Sequence, residues 1–303
     1  MNFTNLFKNF TRKTNLPTFI YLLINILFIA MIISIIFETQ FSFAFIIGAV
    51  IYAASIIIAL SPIGEMILRI QTGCHKIERV DHMNKLDPCF REVIEKLKNN
   101  NIRIPDDIKL YMTHSDSPNA FATGRKTICV TDKFLEYDNG QISACLAHEL
   151  GHIYHRDTDL ILIVSVGNLI INGIVLVIKA IMKVFAIMFG MFGLVGGPVG
   201  AMAAAIVNSF VLIMNYFING IMWVWSKLGM ELVLKSNRDN EYEADKFSFN
   251  AGYGKELCEL LDSIKQPEEK GLFANLANSH PASDSRIAAL QKLGVPYNTK
   301  HNG

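Results

Sequence analysis

Ala144 to Asp157 reads ACLAHELGHIYHRD. Positions four apart on a helix share a face, so His148 and His152 can aim both imidazoles at one point. Glu149 is turned about 100° away from His148, close enough to reach a water held at that point without being a ligand. This H-E-x-x-H arrangement suits a zinc ion held by the two histidines, with Glu149 as the general base. The helix is expected to start near Asn139 and to turn Ile142, Leu146 and Leu150 toward a core. Gly151 inside it costs about 1 kcal/mol relative to Ala, and its missing side chain allows close packing or substrate approach.

A catalytic zinc site takes three protein ligands and keeps one position open. His155 shares the helical face but stands ~10 Å along the axis from His148, too far for one ion, and is expected at the surface. SNRDNEYEADKFSF, later in the chain, sets Glu241 and Asp245 one turn apart. Glu241 is the expected third ligand, and Asp245 the expected acceptor for the N–H of His148. Glu243 falls on another face and is expected in solvent. Cys145, beside the histidines, reads as a small buried hydrophobe. The five cysteines are odd in number and lack paired spacing, which fits reduced thiols.

These residues must be positioned beside lipid. Of the 303 residues 51% are hydrophobic, and the formal net charge is +1. That balance gives no sign of nucleic acid or of a polyanion as partner. Two uncharged apolar runs, 17–37 and 41–61, are each near the ~20 residues that cross a bilayer as a helix, and Glu38–Gln40 connects them as a hairpin. The first run is too long, and too closely followed by the second, for a cleaved signal peptide.

A third run, 160–178, precedes Lys179 and Lys183, and a fourth, 202–225, follows a glycine-rich turn at 190–200. Trp223 and Trp225 are expected at the bilayer interface. The alternative, buried helices of a soluble protein, fits the first pair of runs poorly and the second pair somewhat better. Basic residues flank the first hairpin (Lys8, Arg12, Lys13; then Arg69, Lys76, Arg79, Lys85) and are absent from its loop. Positive charge stays cytoplasmic, so the termini and the middle segment are expected in the cytosol. If His148, His152 and Glu241 grip one ion, the chain must cross the membrane an even number of times between them, and two crossings satisfy this.

The middle segment reads as a small α+β unit. An amphipathic helix is expected over 87–101, with strand candidates at 107–114, 119–124 and 127–131. Helices are expected over 254–264 and 284–293, with a solvated loop at 266–270.

At this point the sequence resembles the integral-membrane zinc metallopeptidases of the HtpX type, relatives of the CAAX prenyl-protein endopeptidases. The resemblance rests on SPNAFATGRK (117–126), LAHELGHIYHRD, NEYEADKF and SHPASDSRIAAL (279–290), in that order, with the membrane hairpins between them. The sequence departs from the family in two places: Ala282 stands where many relatives carry a second proline, and the turn between spans three and four is unusually rich in glycine. The resemblance implies a gluzincin fold and Glu241 as third ligand to one Zn²⁺. It also implies endoproteolysis at the cytosolic face, with damaged or misassembled membrane proteins as the polypeptide substrates. The 119–124 segment would be the edge strand that holds substrate backbone, through Asn119, Ala120, Phe121 and Ala122, and His280 and Arg286 would lie near the cleft.

The expected fold is thus a mainly α (α+β) membrane protein. Four transmembrane helices in two hairpins carry a cytosolic gluzincin-like zinc protease domain with a small β-sheet. The divisions are 1–61 (N-terminal segment and first hairpin), 62–158 (protease, first part), 159–226 (second hairpin) and 227–303 (protease, second part), in a bacterial inner membrane. Two rival readings remain. A prenyl-protein processing enzyme would be expected to need more spans, and a scaffold with structural zinc would close the fourth ligand position.

Overall fold

The computed structural model describes residues 16–236, 238–264 and 283–298. Helices α1 (Leu16–Phe37) and α2 (Phe41–Ala59) form the first apolar hairpin. Ser61 caps the next helix, α3 (Pro62–Gln71), its hydroxyl accepting from Ile63 N–H with proline in the first turn, where the missing N–H costs nothing. Strand β1 (His75–Lys76) and helix α4 (Val80–Asn99) follow. Helix α4 starts well before the expected residue 87 and contains Pro88. Its buried residues Leu86, Cys89, Val93 and Leu97 recur at helical spacing, so a continuous apolar stripe outweighs the one hydrogen bond that proline removes.

Strands β2 (Lys109–Thr113), β3 (Ala120–Ala122) and β4 (Thr127–Thr131) fall inside the expected segments. The sheet order is β1-β2-β4-β3; β2 runs parallel to β4, and β3 antiparallel to it. Strand β1 has only two residues, too few for an alternation to show in sequence. Strand β3 is an edge. Asn119 C=O accepts from Thr131 N–H, and Thr123 N–H donates to Thr127 C=O. By the alternation of an antiparallel ladder, the backbone groups of Ala120 and Ala122 therefore point away from β4.

Helix α5 (Asn139–His155) opens on a reciprocal capping box between Asp138 and Gln141. Ile142, Leu146 and Leu150 are fully buried in a core shared with α4, the sheet and the later helices α9 (Arg238–Asn250), α10 (Gly254–Ser263) and α11 (Ser283–Lys292). Gly151 permits the closest approach: a Cβ there would stand 3.1 Å from both Ala244 Cα and Phe247 Cβ of α9. Close packing, rather than substrate, is its use.

The second hairpin differs from expectation in its helix ends. Helix α6 (Thr158–Gly167) is almost wholly buried, Asn168 interrupts it, and α7 runs over Leu169–Val195. Lys179 and Lys183 lie inside α7 rather than beyond the span, because lysine is a good helix former and Lys179 Nζ finds Asn219 Oδ1 on the facing helix. The turn narrows to Gly196–Gly197, where Gly197 takes φ 61°, and α8 (Gly197–Ser236) runs 40 residues. Gly193 and Gly200 serve packing. A Cβ on Gly193 would meet Ala204 Cβ at 2.8 Å, and one on Gly200 would meet the Phe192 carbonyl at 2.6 Å.

Four helical segments are long and apolar enough to cross a membrane: Thr18–Phe37, Phe41–Ala59, Thr158–Val195 and Gly197–Leu232. Their exposed Phe, Ile, Leu and Met side chains suit a surface solvated by lipid. Trp225 packs within the bundle. Its ring stacks on Tyr21 at 4.7 Å and its indole N–H donates to Asn25 Oδ1, while Trp223 is exposed.

Candidate metal centre

Helix α5 presents His148 and His152 toward α9, which presents Glu241. The two Nε2 atoms are 3.2 Å apart. Glu241 oxygens lie 3.4 Å from His148 Nε2 and 3.3 Å from His152 Nε2. A tetrahedral ion with bonds of 2.0–2.1 Å needs donors ~3.3 Å apart, the spacing of the two Nε2 atoms and of each Nε2 from its nearer Glu241 oxygen, Oε2 for His148 and Oε1 for His152. All three residues are buried, and three donors leave the fourth position open. The donor set fits one Zn²⁺. Among the described residues, no other set of three or more His, Cys, Asp or Glu donors converges in this way.

Each imidazole has its own carboxylate. Asp245 Oδ1 lies 2.9 Å from His148 Nδ1, and Asp157 Oδ2 lies 3.1 Å from His152 Nδ1. An acceptor at Nδ1 holds the proton there and leaves the Nε2 lone pair for the metal. Asp157 was missed in sequence because it lies beyond the helix. It returns to His152 because Arg156 adopts the left-handed conformation, φ 62°, at the C-cap, a geometry no spacing rule encodes.

Arg286, from α11, is 4% exposed. Its Nε and Nη2 clamp Asp245 at 2.8 and 2.5 Å, and its Nη1 stands 3.5 Å from Glu241. Burial opposes ionisation of Asp245, but the Arg286 guanidinium and the contact with His148 outweigh it and hold the carboxyl at about 2. Arg286 also lines the cleft expected of it, a cavity of about 90 Å³ that reaches Ser117, Asn119, Cys145, Glu149 and Leu261. Burial pushes the Cys145 thiol well up, so Cys145 is a neutral lining group. His155 is half-buried, in edge-on contact with the Tyr154 and Phe247 rings, and Glu243 is exposed. His280 lies outside the described residues.

Glu149 is buried, and its Oε2 accepts from Ala122 N–H at 2.7 Å. Edge strand and carboxylate thus meet directly. Of the four expected strand residues, Asn119 and Phe121 direct backbone groups to β4, while Ala120 and Ala122 face the cleft side.

A zinc-ligand helix pair beside an open sheet edge, joined to four apolar helices, defines an integral-membrane zinc metallopeptidase. Residues 84–294 match Peptidase family M48, and the chain belongs to that family. The Protease HtpX homolog of Tropheryma whipplei is 23% identical over 254 residues, 75% of this chain and 78% of that one. The Protease HtpX homolog of Thermoplasma acidophilum is 32% identical over 143 residues, 43% of this chain and 44% of that one. The matched stretch thus spans less than half the length of the Thermoplasma relative. The solved structure of S. mikatae Ste24p superposes with a TM-score of 0.39 at 20% identity, over 88% of this chain and 61% of that chain.

Proposed function

We propose that the chain is an endopeptidase that cleaves damaged or misassembled membrane proteins at the cytosolic face of a bacterial inner membrane. The observation that carries this reading is the contact between Glu149 and Ala122, which places a buried carboxylate between the metal ligands and an unpaired strand edge. Zinc, when bound, acidifies a water and polarises a peptide carbonyl. An extended substrate pairs with the outward N–H and C=O of Ala120 and with the outward C=O of Ala122, the Ala122 N–H being taken by Glu149. Glu149 accepts the proton of the attacking water and delivers it to the leaving amine. Asp245 and Asp157 hold the two imidazoles, and Arg286 holds Asp245 and Glu241. The first membrane hairpin lies within 1–61 and the second within 159–226, and the two cytosolic protease parts lie within 62–158 and 227–303.

The test is Glu149→Gln in the full chain. It is expected to keep zinc in equal amount while cleavage of an unfolded membrane protein falls at least 10²-fold. Cleavage at the wild-type rate in the zinc-loaded variant rejects Glu149 as the base.

A further inference from the structure

We propose that His75 and His114 form a second, surface site for a divalent transition metal. His75 lies on β1 and His114 directly follows β2. The register pairs His75 with Met112, so His75 and His114 project from the same face of the sheet. Their ring centroids are 5.1 Å apart, against 4.8 Å for His148 and His152 in the metal centre.

The hydrogen bonds are the stronger argument. His114 Nδ1 lies 3.2 Å from Asp132 Oδ2, and His75 Nδ1 lies 3.1 Å from the Lys76 carbonyl. Both partners only accept, so each neutral ring keeps its proton on Nδ1 and bares the lone pair of Nε2. This is the outer-shell pattern of metal-ligating histidine, and the same pattern that Asp245 and Asp157 set up in the metal centre. The surface rings are inclined at 38° rather than 88°, and both histidines are exposed, so either ring can turn to close the chelate. Two imidazoles supply two bonds and water the rest, an arrangement suited to Zn²⁺, Ni²⁺ or, most tightly, Cu²⁺. Asp132 also accepts from Ser115 N–H at 3.1 Å, and Ser115 lines the cleft. A metal held by His114 therefore adds a fixed point to the cleft wall.

The experiment is metal counting on the full-length chain, purified in detergent on a tag without histidine and dialysed to equilibrium against Zn²⁺. Two equivalents are expected in wild type, and one each in His75→Ala, His114→Ala and His148→Ala. Asp132→Asn is expected to retain the second equivalent with 10- to 100-fold weaker binding, the usual effect of losing an outer-shell partner. With Cu²⁺ on the His148→Ala chain, the electron paramagnetic resonance signature of two nitrogen ligands should persist, and it should vanish in His148→Ala/His114→Ala. Melting in excess chelator should be the same for wild type and the two surface variants, as expected for exposed side chains. A single equivalent in wild type overturns the proposal, as does a second equivalent that survives the His75→Ala/His114→Ala double variant.

Discussion

The backbone N–H of Ala122 donates to Oε2 of Glu149 at 2.7 Å. A carboxylate fixed by a sheet edge cannot swing, so its distance from the metal is set by the fold. Glu149→Asp withdraws the carboxylate by about one methylene and breaks that bond. Misplacement by ~1 Å costs about 10²-fold in rate, so kcat should fall by that factor with KM nearly unchanged. Steady-state cleavage of a quenched peptide measures both, and an unchanged kcat would show that the position of the base does not matter.

His148 and His152 are each oriented by a separate carboxylate, and the two are not equivalent. Asp245 is clamped by Arg286, whereas Asp157 has no such clamp among the described contacts. Asp157→Asn and Asp245→Asn should each weaken zinc 10- to 100-fold. Asp245→Asn should do more harm, because it also leaves the buried Arg286 without its bidentate partner. Competition against a chromophoric chelator gives both affinities; equal and small losses would remove Arg286 from the metal's support.

Arg125 ties the turn after β3 to the membrane helices. It grips Asp159 of α6 at 2.6 and 2.8 Å, and its backbone N–H donates to Glu65 of α3. Asp159 is only 2% exposed, so Arg125→Ala leaves an unpaired buried charge at a cost of about 3–5 kcal/mol. Arg125→Met/Asp159→Leu should recover most of that loss. Urea unfolding in detergent measures both, and a double variant no better than the single one would refute the charge argument.

The local rules were enough to pick out the expected ligands. One-turn spacing aligns His148 with His152, and Glu241 with Asp245, and apolar runs of spanning length mark the hairpins. What sequence did not carry depends on helix rotation or on one backbone angle. Asp157 reaches His152 only through the left-handed Arg156. The two residues of β1 show no alternation, and His75 gained a partner only when β1 paired with β2. Helix α4 extends past Pro88 because tertiary burial of its stripe overrides a local breaker. The Asn25 contacts join residues up to 200 positions apart, which no local pattern shows.

Those Asn25 contacts tie all four apolar helices together. Asn25 Nδ2 donates to Tyr52 Oη at 2.9 Å and to Asn168 Oδ1 at 3.1 Å, while its Oδ1 accepts from Trp225. Asn168 in turn donates to Tyr21 Oη at 2.8 Å. In lipid, apolar faces gain little by meeting one another, so small residues and interhelical hydrogen bonds select the packing, each bond worth about 0.6 kcal/mol on average. Asn25→Leu removes three of them and leaves the half-buried indole N–H of Trp225 without this partner, so the bundle should lose about 2 kcal/mol, against about 0.6 kcal/mol for Tyr52→Phe. Unfolding in mixed micelles gives the two values. In a Trp223→Phe background the emission of Trp225 should also shift as its stack on Tyr21 loosens. If Asn25→Leu unfolds no more easily than Tyr52→Phe, Asn25 is not the hub of the bundle.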